Sequence, residues 1–154
     1  MDFISQYLAI IDICGQWSEI GRRSRWQQEQ RWREVYAARL HASTGKWRWG
    51  QLEWHVFSFH HAPALEGTSA VEGYLQTLAS ELIVIPEQHS HPTLPAIHLS
   101  ADRLPQFQDS GFDVMVWPPD LGWTMAFTHE EGSCGPYFAR REWMAKHPDW
   151  KPSA

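Results

Sequence analysis

Cysteine is scarce in this chain: Cys14 and Cys134 are the only two among 154 residues. That excludes the dense disulfide framework of small secreted domains, and no CxxC pair offers a zinc or redox motif. Two reduced thiols in a cytosolic protein are the expectation. Long apolar runs are missing too. The opening segment 1–13 is apolar, but Asp2 comes early and no Lys or Arg precedes Arg22. It therefore lacks the charge order of a signal peptide and the length to cross a bilayer. Phe3, Tyr7, Ile10, Ile11 and Cys14 recur at helical spacing, which points to core packing. Positive charge is not in excess. Eighteen acids against thirteen Lys and Arg give a net charge of −5, which argues against a nucleic-acid or anionic-membrane binder and permits a basic protein partner. HExxH, GxSxG, P-loop and GxGxxG patterns are absent, as is any internal repeat.

What is present is enough for one compact domain. Apolar residues make up 43% and aromatics 14% of the chain, and about two-thirds of the unfolded surface is buried at this length without a staple. A single globular domain is expected over 1–147, with a loop-like tail over 148–154 that holds Pro148 and Pro152.

Asp2 is placed to cap a first helix that stops near Gly15. A second helix is marked by the capping-box spacing of Ser24 and Gln27, with Gly45 beyond its far end and Trp32, Val35, Tyr36 and Leu40 on one arc. Residues 22–39 hold six arginines against Glu29 and Glu34, a local +4, while the rest of the chain is −9. Arg25, Glu29 and Arg33 are spaced to form an ion-pair ladder, so this helix reads as a solvated, self-paired face.

The aromatic-rich stretch 46–61 reads as a strand, or two strands bent at Gly50, with Trp54, Val56 and Phe57 nearly fully buried on a central strand. Ser69 and Glu72 mark a helix running to about Ala79. Leu82–Ile85 is a short buried strand, 87–95 a loop, and Ala96–Leu99 a further strand. Pro105 suits a short helix that ends at Gly111. Runs 113–117 and 123–128, around a Pro/Gly loop, read as an antiparallel hairpin. Residues 137–146 form a last helix or a strand followed by a helix. The expected fold is α+β: a mixed or mostly antiparallel sheet with the N-terminal helices packed on it.

Ten tryptophans are the compositional anomaly. Trp32, Trp54, Trp117 and Trp123 lie in patterned segments and are assigned to the core. Trp143 and Trp150, near the polar end, suit interface anchors. Nine histidines invite a metal reading, with His60-His61 and His89-Ser90-His91 as the closest groups. Adjacent strand histidines point to opposite faces, and no third ligand stands at a recognised spacing, so neither a metal nor a cofactor is expected. The segment 128–138 is the most chemically loaded: it reads first as a turn that His129 and Glu130 fix by hydrogen bonds, and alternatively as a site with His129 as a base oriented by Glu130 and Cys134 as a nucleophile.

Trp54-His55-Val56-Phe57-Ser58-Phe59, Leu65-Glu66-Gly67, Trp123-Thr124, Thr128-His129-Glu130 and Gly135-Pro136-Tyr137-Phe138, in that order, resemble a family of small bacterial proteins known as a domain of unknown function. The resemblance covers about 26–138. It implies a single-domain bacterial cytosolic protein and assigns no reaction.

Two functions are weighed. The first is a non-enzymatic protein-binding module, an immunity-type inhibitor of a basic toxin domain. It would meet its partner through Glu66, Asp120, Glu130, Glu131 and Trp143, and would contact neither nucleic acid nor membrane. The second is a small hydrolase or transferase using His129, Glu130 and His55. A subunit of a larger assembly is the remaining reading.

Overall fold

Leu82-Ile83-Val84-Ile85 offers no polar side chain to either face of a sheet, so a strand here must be covered on both sides. The computed structural model, which describes residues 2–37, 55–58, 62–78, 80–88, 90–129 and 134–146, does that. Its strands are β1 (Gly15–Glu19), β2 (Leu65–Glu66), β3 (Glu81–Pro86), β4 (Ile97–Ala101), β5 (Val114–Trp117), β6 (Trp123–Phe127) and β7 (Tyr137–Arg140). They form one sheet in the order β1-β4-β3-β5-β6-β7-β2, with every neighbouring pair antiparallel. The helices are α1 (Phe3–Asp12), α2 (Arg22–Tyr36), α3 (His55–Ser58), α4 (Thr68–Leu75) and α5 (Arg141–Lys146).

Alternation along the strands sorts the core into two layers. Leu82, Val84, Val114, Val116, Met125 and Phe127 pack with Tyr7 and Ile11 of α1 and with Ala70 and Tyr74 of α4. Ile83, Ile85, Met115, Trp117 and Ala126 pack with Trp32 and Tyr36 of α2 and with Val56 and Phe57 of α3. The architecture is the expected α+β domain, and the two N-terminal helices take opposite faces of its sheet. Trp32, Trp117 and Trp123 are buried. The Trp32 indole N–H donates to Thr124 Oγ1 at 2.9 Å, which satisfies both buried polar groups.

Local signals held unevenly. Asp2 caps α1 by accepting the Ser5 N–H at 2.7 Å. Arg25 and Arg33 both reach Glu29, at 2.8 and 3.8 Å. The hairpin of β5 and β6 forms as expected, and β7 followed by α5 resolves the C-terminal segment as strand plus helix. Ser24 and Ser69 do not cap. Their helices start earlier, after Gly21 and Gly67, with no side-chain cap. Gly67 sits at φ +67, a conformation open to glycine, and its N–H donates to the Pro136 carbonyl at 2.9 Å.

The helix expected to reach Ala79 ends at Leu75. Val56 and Phe57 are buried, but in a helical turn rather than on a central strand. An apolar pair flanked by polar residues fits either period, and the Val56 carbonyl accepts the Ala62 N–H at 3.1 Å. Trp54, Leu40 and Gly45 lie outside the described residues. No helix follows Pro105; that segment is irregular and inserts Phe107 and Phe112 into the core. Strand β1 was not expected. Gly15 permits it, because a Cβ there would fall 2.0 Å from the Ser100 carbonyl oxygen.

Candidate functional site

The register places Pro86 opposite Val114, and Val114 opposite Phe127. One step further, Glu87, Asp113 and Thr128 become neighbours at the same end of the central strands. All three are buried, and the Glu87 N–H donates to the Asp113 carbonyl at 2.9 Å.

A buried carboxylate needs donors, and Asp113 receives two from one residue. His129 Nδ1 lies 2.8 Å from each carboxylate oxygen, and the His129 backbone N–H donates to Oδ1 at 2.9 Å. Bonding through Nδ1 places the proton there and turns Nε2 to the opposite edge of the ring. The burial is lopsided: the Asp113 side chain is 1% exposed and that of His129 is 45% exposed.

A second histidine meets the same aspartate from its backbone side. His91 Nε2 accepts the Asp113 N–H at 3.0 Å, and the His91 N–H donates to the Glu87 carbonyl at 2.8 Å. A hydrogen-bonded antiparallel pair normally exchanges both bonds. Here the ring of His91 takes the place of the Glu87 carbonyl in the return bond. The acceptor role requires an unprotonated Nε2. Burial pushes the His91 pKa below its ordinary value, reinforced by His129 and opposed by Asp113. Its ring packs against Phe112 and Phe3, with centroids at 5.4 and 5.7 Å.

The chain beyond is tied down separately. Thr128 Oγ1 donates to the Cys134 carbonyl at 2.6 Å, and the Gly135 N–H donates to Glu66 Oε1 at 3.2 Å. The Tyr137 hydroxyl adjoins Glu66 and Cys134; burial first, then the charge of Glu66, raises its pKa. Both cysteines are free, and burial raises the pKa of Cys14.

Of the residues singled out for partner contact, Glu66 thus braces the 134–137 segment. Asp120 lies at the opposite end of the sheet, where its Oδ1 accepts the Gly122 N–H at 2.8 Å and its carbonyl accepts from Arg141 at 3.0 Å. Trp143 is partly buried and packs edge-on to Phe138 at 6.2 Å. Glu130 and Glu131 lie outside the described residues, as does the side chain of His55. The structure therefore brings His129 to Asp113, a residue that sequence reasoning took only for the start of a strand. The signal was available: the hairpin sets Asp113 across from the residue before His129.

One other described histidine faces a carboxylate. His98 Nε2 on β4 lies 3.0 Å from Glu81 Oε2 on β3, with side chains 44% and 52% exposed. Ser100 Oγ donates to the same carboxylate, 2.8 and 3.0 Å from its two oxygens. Among the described residues no group of three or more His, Cys, Asp or Glu side chains is arranged to hold a metal. No described helix is long and apolar enough to cross a membrane.

Fold and site together define an α+β domain whose seven-stranded antiparallel sheet ends in a buried aspartate bracketed by two histidines. The chain belongs to the family described as a domain of unknown function, DUF4275, which matches residues 17–138 and so includes His91, Asp113 and His129. No curated protein and no solved structure matches the chain.

Proposed function

We propose that the domain is a protein-binding module for a basic partner, an immunity-type inhibitor of a toxin domain in the bacterial cytosol. The observation that supports this reading is how the chain uses its arginines. Arg25 donates to Glu29 and to the Pro86 carbonyl, Arg31 to the Pro119 carbonyl at 2.7 Å, and Arg141 to the Asp120 carbonyl. These cations tie α2 and α5 to the ends of the sheet.

Exposed acids gather elsewhere. Asp12 accepts the Trp17 indole N–H at 2.7 Å, beside the start of β1. The Asp102 N–H donates to the Cys14 carbonyl at 2.7 Å, and Glu81 pairs in register with Ser100. Asp12, Glu81 and Asp102 thus stand at one corner of the β1-β4-β3 edge together with Arg103, whose N–H donates to the same Cys14 carbonyl at 3.3 Å; all four are exposed, and the acids outnumber the base three to one. An acidic corner on a chain of net charge −5 steers a basic partner and speeds association.

The test is affinity capture from bacterial lysate with two baits: the parent chain and a folded Asp12→Lys, Glu81→Lys, Asp102→Lys variant. The reading expects a basic protein held by the parent, released above about 0.5 M salt, where surface charges are screened, and not held by the variant. Equal capture by both baits, or capture indifferent to salt, would overturn it.

A further inference from the structure

We propose that two copies of this chain join edge to edge through β1, antiparallel and centred on Trp17, so that their sheets run on into one another. The inference goes beyond the binding reading. Such a dimer engages Asp12 and Asp102 and so competes with a basic partner, but its test needs only the purified chain and stands or falls without that partner.

Strand β1 ends the strand order, and among the described residues it pairs only with β4. The bonds flanking it show which way its backbone faces. The Ile20 N–H donates to the Ala96 carbonyl at 2.8 Å, and the Cys14 carbonyl accepts the Asp102 N–H at 2.7 Å. Antiparallel bonding alternates along a strand, so Gln16 and Ser18 also bond inward, while the N–H and C=O groups of Gly15, Trp17 and Glu19 face outward. Such a row is a template for a further strand, and sheets commonly blunt it with Pro, Lys or a very short edge strand. The opposite edge, β2, has two residues; β1 has five and holds no Pro, Lys or Arg.

The second copy is the matching occupant because β1 complements itself. Turned antiparallel about Trp17, it sets Gly15 against Glu19 of the second copy, Trp17 against Trp17, and Glu19 against Gly15. These are the outward-facing residues, so each pair can exchange both backbone bonds, and no like charges oppose each other within the strands. Gln16 and Ser18 then oppose each other as exposed, uncharged side chains. The flanks match as well. Exposed Asp12 and Asp102, with Arg103, stand at the Gly15 end, and exposed Arg22 and Arg23 open α2 just beyond Glu19. Two acids with one base thus meet two bases with one acid, once on each side of the two-fold axis.

The test is sedimentation velocity of the purified chain, with amide hydrogen exchange read along β1. The inference expects twice the monomer mass at a loading on the order of 100 μM, where even a weak interface assembles. It expects protection of the Trp17 and Glu19 amides to grow with concentration, while Gln16 and Ser18 are protected throughout. Glu19→Pro removes an outward N–H, leaves the bonds to β4 in place, and should be monomeric. Should that variant not fold, charge reversal decides. Asp12→Lys with Asp102→Lys, and Arg22→Glu with Arg23→Glu, should each dimerise on the order of tenfold more weakly than the parent, and an equimolar mixture of the two should regain the parent's affinity as a mixed dimer. A monomer at that loading, a dimer that folded Glu19→Pro leaves intact, exchange of Trp17 and Glu19 that ignores concentration, or a mixture no tighter than either variant would overturn the inference.

Discussion

Two histidine–carboxylate pairs occupy the same sheet, and they differ most in how deeply the acid is buried. His129 and His98 are exposed to the same degree, 45% and 44%, and each lies within hydrogen-bonding distance of an acid. Glu81 is 52% exposed and Asp113 is 1% exposed. A solvated carboxylate exchanges its partner for water at little cost, so the outer pair holds little. A carboxylate in the interior has no such alternative, and losing the imidazole takes from a buried charge one of its donors. The inner pair therefore acts as a built part of the sheet end, while the outer pair decorates a surface.

The largest expected effect is at Asp113. Replacing it with Ala removes the acceptor of the His129 backbone and ring N–H groups, so the unfolding free energy should fall by about 3 kcal/mol in denaturant titrations. His129→Ala should cost less, about 1–2 kcal/mol, because the backbone N–H still reaches Asp113 Oδ1. A loss as large as that of Asp113→Ala would mean that the ring, not the carboxylate, organises this end.

Acidification tests the other side of the aspartate. The folded His91 pKa lies below its ordinary value of 6.5, so below that pH the unfolded chain takes up a proton more readily than the native chain. Stability contributed by neutral His91 is present above 6.5 and is lost as the pH falls through the folded value. The imidazole is partly open to solvent, so the effect is expected to be a fraction of about 1 kcal/mol. His91→Gln keeps an acceptor for the Asp113 N–H and removes the titration; its melting temperature should drop less than that of the parent between neutral pH and pH 5. Glu81→Gln should be the mildest change, within about 0.5 kcal/mol of the parent at neutral pH in the same titrations.

The fold was legible where one residue pattern admitted one structure. The doubly apolar run 82–85 could only be a covered strand, and the hairpin of β5 and β6 announced itself through its Pro/Gly loop. The pattern failed where a residue type served two ends. Gly15 reads as a helix stop and also opens β1, because a strand edge against Ser100 tolerates no Cβ there. Val56 and Phe57 fit a strand or a helical turn, and the structure has the turn, packed with Trp32 and Tyr36. At the candidate site His129 was visible but its partner was not. Sequence proximity favoured Glu130, whereas antiparallel pairing delivers Asp113 from 16 residues away.

The contrast between the pairs is measured most directly by two double-mutant cycles in equilibrium unfolding, Asp113→Asn with His129→Gln and Glu81→Gln with His98→Gln. The account expects a coupling of about 1.5–3 kcal/mol across the inner pair, as for a hydrogen bond to a charged group, and at most about 0.5 kcal/mol across the outer one. Equal couplings would contradict it and would place the role of Asp113 in packing alone.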